Sequence, residues 1–85
     1  MPKVVIYTID WCPYCEAALD LLASKGIEFE EINLTGKPAE RTKLREKAGG
    51  SPTVPQIFIG STHVGGCDDL YGLDRAGRLD PLLAD

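Results

Sequence analysis

The stretch Val4-Val5-Ile6-Tyr7-Thr8-Ile9-Asp10-Trp11-Cys12-Pro13-Tyr14-Cys15-Glu16 decides how the chain is read. Its first half belongs to a near-continuous apolar run, Lys3–Ile9, rich in β-branched residues. Such a run predicts a central strand buried on both faces. Its second half opens a helical pattern, in which Cys15, Ala18, Leu19 and Leu22 recur at helix spacing up to Lys25 and Gly26. Two cysteines three positions apart at a strand-to-helix junction point to thiol–disulfide chemistry. The first turn of a helix has unpaired N–H groups and the positive end of the macrodipole, so a thiolate is stabilised there. Pro13 suits the first helical position because it has no N–H to leave unpaired. Cys12 is therefore expected to be the exposed nucleophile, and Cys15, one turn on, the shielded resolving thiol.

Working outward, Ile27–Leu34 alternates apolar and acidic residues and reads as a half-exposed strand near an edge. Strand, helix and strand within this length imply a right-handed βαβ unit. Pro38 opens a second helix running to about Ala48, with a thin apolar face of Ala39, Leu44 and Ala48. Gln56-Ile57-Phe58-Ile59 and Thr62-His63-Val64, joined by Gly60-Ser61, predict an antiparallel hairpin. A third helix starts at Cys67-Asp68-Asp69 and breaks at Gly77; Asp80-Pro81 caps a last short turn.

The bulk numbers limit the alternatives. The chain has 85 residues, which supports one small domain, 1–85. A formal charge of −4 argues against nucleic acid as the main partner. Nothing reads as a signal peptide or a membrane span, so a cytoplasmic protein is expected, with no membrane partner. Three cysteines are too few for a disulfide scaffold. A zinc site would have to complete its ligand set with Cys67 and His63, which are ill spaced for it.

Cys12-Pro13-Tyr14-Cys15, Thr53-Val54-Pro55-Gln56-Ile57-Phe58-Ile59 and Gly65-Gly66-Cys67-Asp68-Asp69-Leu70-Tyr71, in that order, resemble the small bacterial dithiol glutaredoxins of the thioredoxin superfamily. The resemblance runs from about Val4 to Leu83. It implies an α/β thioredoxin-like fold, a four-stranded mixed sheet made of the βαβ unit and the hairpin and flanked by helices. It implies a monomeric, glutathione-dependent oxidoreductase, with glutathione as co-substrate, disulfide-bonded or glutathionylated proteins as partners, and no metal.

By the same resemblance, Cys12 and Cys15 are catalytic, and Tyr14, Arg41, Thr53, Val54, Pro55, Gly66, Cys67 and Asp68 bind glutathione. A cis Val54–Pro55 bond is implied, with the Val54 backbone pairing with the peptide-like substrate. The γ-glutamyl carboxylate would meet the N–H groups near Cys67 and Asp68, and its ammonium the Asp68 side chain. Tyr14 would wall the glycine end, and Arg41 would meet the glycine carboxylate. Family members often have a lysine three residues before the first cysteine; here Ile9 removes that cation.

Simpler readings stand beside these. Val54-Pro55 can be an ordinary strand start, and Gly65–Asp69 a turn with a well-capped helix. Cys67 is either a small half-buried residue or a third thiol, acidified by its helix start and sensitive to oxidation. Arg41, Lys43, Arg45 and Lys47 can be a solvated helix face, Asp69 dipole support, Trp11 packing near the site and His63 a solvated residue. Two functional rivals remain: a thioredoxin-like reductant fed by a flavoprotein reductase, and an iron–sulfur carrier that ligates a cluster through Cys12 and glutathione.

Overall fold

A computed structural model describes residues 2–84; residues 1 and 85 of the expected domain lie outside the described residues. The elements are β1 (Val4–Thr8), α1 (Pro13–Ser24), β2 (Glu30–Asn33), α2 (Pro38–Lys47), β3 (Gln56–Ile59), β4 (Thr62–Gly65), α3 (Cys67–Arg75) and α4 (Leu79–Ala84). The sheet order is β2-β1-β3-β4, with β1 parallel to β2 and antiparallel to β3, and β3 antiparallel to β4. This is the mixed sheet that the βαβ unit and the hairpin predict.

Side-chain alternation along the strands gives the sheet two unequal faces. Val4 and Ile6 of β1 and Ile57 and Ile59 of β3 point one way. They form the main core with Ala18 and Leu22 of α1, Leu70 of α3, and Leu79 and Leu83 of α4. The Tyr71 hydroxyl donates to the Ala17 carbonyl at 2.8 Å, tying α3 to α1. The other face has a smaller cluster of Leu34, Leu44 and Phe58, with Tyr7 and Ile32 packed against it.

That inequality corrects the expectation for β1. It is central, but Val5 and Tyr7 are only half-buried. The reason lies in α2, whose single buried helical residue is Leu44; Ala39 is exposed and covers nothing. The second strand is also shorter than Ile27–Leu34. Its ladder begins opposite Val5 with Glu30, and Ile27 and Phe29 pack on the main core from the loop before it.

Candidate functional site

The Cys12 loop is tied to the end of β2. The Asp10 N–H donates to Thr35 Oγ1 at 2.7 Å, and Asn33 Nδ2 donates to Asp10 Oδ1 at 2.8 Å. Cys12 is the N-cap of α1, with φ −119° and ψ 101°. Its Sγ accepts the Cys15 N–H at 3.2 Å, and its carbonyl accepts the Glu16 N–H at 3.0 Å. Sulfur thus stands where the oxygen of a serine or aspartate cap usually sits. Pro13 takes the first helical position, as its missing N–H favours.

The two thiols differ as their positions on the helix require. Cys12 is half-buried, whereas Cys15 faces the core and is 1% exposed. Burial, followed by its hydrogen bond with Cys12, pushes the Cys15 thiol up to about 12. A backbone hydrogen bond from Ile9 opposes this without cancelling it. Cys15 therefore stays protonated until another group takes its proton.

Tyr14, Thr53, Val54, Pro55, Gly66, Cys67 and Asp68 line one cavity of about 330 Å³. The Val54–Pro55 bond is cis. At the α3 end, Gly65 has φ 114°, a conformation that disfavours any side chain, and an added Cβ would run into the Asp69 carboxylate. Asp69 Oδ2 accepts the Gly66 N–H at 3.0 Å. The first intrahelical bond runs from the Leu70 N–H to the Gly66 carbonyl. The Cys67 and Asp68 N–H groups precede it in the first turn of α3, where helix donors lack intrahelical partners.

Two expectations need correction, and one expected site residue lies apart from the others. Arg41 does not line this cavity. Its Nη2 donates to the Pro52 carbonyl at 3.2 Å, and it lines a neighbouring cavity of about 440 Å³ with Ile9 and Trp11. The Cys67 thiol is not acidified by its helix start. Burial, then the charges of Asp68 and Cys12, push it up. Trp11 does not pack: the residue is 98% exposed, and it has a φ of 58°, uncommon for a residue with a side chain, at the strand–helix corner.

Two lining residues carry more than the sequence reading gave them. Gln56 is 2% exposed, and its Nε2 donates to the Thr53 carbonyl at 3.0 Å. His63 is exposed, as a solvated residue should be, and its ring still meets Gln56 Oε1 at 2.6 Å and stacks on Phe58 with ring centroids 4.8 Å apart. The available signal was an amide beside the apolar run Ile57-Phe58-Ile59, where a buried polar group must find partners.

A thioredoxin-like sheet with a Cys-x-x-Cys pair at the start of its first helix is the arrangement of the thiol–disulfide oxidoreductases. The glutaredoxin family model matches residues 4–64. Over 84 residues the chain is 63% identical to a glutaredoxin of Pseudomonas aeruginosa, covering 99% of both chains. It is 53% identical over 83 residues to glutaredoxin 3 of Escherichia coli K12, covering 98% of this chain and 99% of that one. A buckwheat glutaredoxin crystallised with glutathione superposes with a TM-score of 0.89 at 31% identity, covering 98% of this chain and 77% of that one. The chain belongs to the glutaredoxin family, and its activity is that of a glutathione-dependent thiol–disulfide oxidoreductase.

Proposed function

We propose that the protein reduces both glutathione mixed disulfides and protein disulfides, using Cys12 as nucleophile and the cavity beside it as the glutathionyl site. One observation carries this reading: Cys12 Sγ caps α1 two residues before Tyr14, which lines a cavity with the 53–55 segment and the start of α3, and the Cys12 charge acts on Cys67 of that same lining. The buckwheat relative, crystallised with glutathione, supports the choice of ligand.

In the first step Cys12 Sγ, as thiolate, attacks the glutathionyl sulfur of a mixed disulfide. The S–S bond to the target breaks, and the target thiolate leaves and takes up a proton. Glutathione thiolate then attacks Cys12-bound glutathione, oxidised glutathione leaves, and the Cys12 thiolate is regenerated. With a protein disulfide, the Cys12 thiolate attacks one sulfur and the other leaves as a thiolate that takes up a proton. Cys15 then gives up its proton and attacks the Cys12 sulfur of that mixed disulfide, expelling the second target thiolate. That releases the reduced target and forms Cys12–Cys15, which two glutathione molecules reduce.

The glutathionyl carboxylate fits the Cys67 and Asp68 N–H groups, and its ammonium fits the Asp68 carboxylate. The Val54 backbone offers a short pairing edge. Arg41 and Lys37, both on the neighbouring cavity with Ile9, are the cations available for the glycine carboxylate. Among the described residues no helix is long and apolar enough to cross a membrane, and a reducing cytoplasm suits the chemistry.

The test is turnover of a glutathionylated peptide with glutathione as sole reductant. Full turnover is expected, and Cys15→Ser should keep it while losing reduction of a protein disulfide. Turnover only with a flavoprotein reductase would sink the reading. So would a visible cluster absorbance in anaerobically purified protein that shows no glutathione turnover.

A further inference from the structure

His63 stands outside the chemistry described above, yet its ring is fixed from two sides. It lies opposite Phe58 in the β3–β4 ladder and stacks on that ring at an interplanar angle of 23°. Its Nε2 is 2.6 Å from Gln56 Oε1. Neighbouring groups settle which atom donates. Gln56 Nε2 faces the Thr53 carbonyl at 3.0 Å, and a carbonyl can only accept. That fixes the orientation of the amide, so Oε1 is the atom turned to His63, and His63 Nε2 must carry the hydrogen. The same Gln56 Nε2 also reaches Thr53 Oγ1 and Ser51 Oγ, both at 3.3 Å. One buried amide thus spans from the ring on β4 to the loop residues just before Pro55.

We propose that His63 is a positioning residue for the glutathionyl site: its Nε2–H holds the Gln56 amide, and that amide holds the Thr53 carbonyl and hydroxyl against the cavity. The inference rests on the reading of that cavity as the glutathionyl site. Gln56 is 2% exposed although His63 is itself an exposed residue, so a leucine of similar size in place of the ring keeps Oε1 covered and offers it no donor. Without the donor, Oε1 is left unsatisfied and the amide gains a reason to turn, taking its Nε2 off Thr53. Both the Nε2–H tautomer and the imidazolium donate at this atom.

The experiment compares wild type with His63→Leu, which removes the donor, and His63→Gln, whose side-chain amide can donate to the same oxygen. The substrate is a glutathionylated peptide with saturating glutathione. His63→Leu should raise KM for the peptide about tenfold with kcat within about twofold, because ground-state and transition-state binding are lost together. His63→Gln should return KM to within about twofold of wild type. The backbone amide resonances of Thr53 and Val54 should move in His63→Leu and return in His63→Gln.

Unchanged KM in His63→Leu, or equal impairment in both variants, overturns the proposal. Asp68→Ala separates the two layers of the argument. A raised KM there with none in His63→Leu removes only the role of His63. No change in Asp68→Ala removes the cavity reading and the proposal that rests on it.

Discussion

Cys12→Ser removes one of two sulfurs a single helical turn apart, and on the proposed division of roles the survivor does not substitute for it. Cys15 is 1% exposed, and its thiol is pushed up from 9.0 to about 12. At neutral pH that gap lowers its thiolate population about a thousandfold relative to an ordinary cysteine. The substitution removes the share due to Cys12, its hydrogen bond and its charge, but burial is the largest cause and remains. Residual turnover of a glutathionylated peptide should then be below about 1% of wild type, with reduction of protein disulfides lost as well. Mass spectrometry gives an independent readout. In reduced wild type, iodoacetamide should label Cys12 first and leave Cys15 unlabelled until the chain unfolds. Cys12→Ser retaining more than about a tenth of wild-type turnover, or native Cys15 alkylating as fast as Cys12, would refute the division of roles.

Other expectations follow from the same geometry. The reduced protein should lose stability as pH rises from about 9 to about 12. The unfolded chain ionises Cys15 across that window while the fold keeps the proton, so the loss is on the order of 1 kcal/mol per pH unit. Urea unfolding across the window should show a slope that flattens in Cys15→Ser. Lys25, raised chiefly by hydrogen bonds to Asp74 and Asp80, adds a loss of the same sign above 10.5. Leu70→Ala, at a site with 0% exposure in the main core, should cost about 2–5 kcal/mol by denaturant unfolding. Gly65→Ala should displace the Asp69 carboxylate from the Gly66 N–H and raise KM for the glutathionylated peptide while kcat stays near wild type; calorimetry should show a lowered Tm.

Local pattern carried most of the fold. The period-2 and helical runs, Pro13, Pro38 and the glycines at element ends each act within a few residues, so elements and their order were legible in one dimension. The pairing of Cys12 with Cys15 was legible for the same reason: one helical turn sets their distance, and the alternation of apolar positions sends Cys15 inward. Where the residues of 53–55, 66–68 and Tyr14 would meet was legible only through family resemblance, because no local rule brings three distant segments to one cavity.

What tertiary structure alone decided is which face each side chain meets. The thin apolar face of α2 was legible, but only the packed sheet shows that it leaves Val5 and Tyr7 half-buried, that Arg41 turns to the Pro52 carbonyl, and that Trp11 projects into solvent. The raised Cys67 thiol reflects burial and the charges of Asp68 and Cys12, and these outweigh what a helix start alone suggests. The partners of Gln56 are likewise set by the β3–β4 register and the loop before Pro55. Sequence fixes what a residue can donate, accept or bury, whereas the sum of neighbours from other elements decides which of those capacities is used.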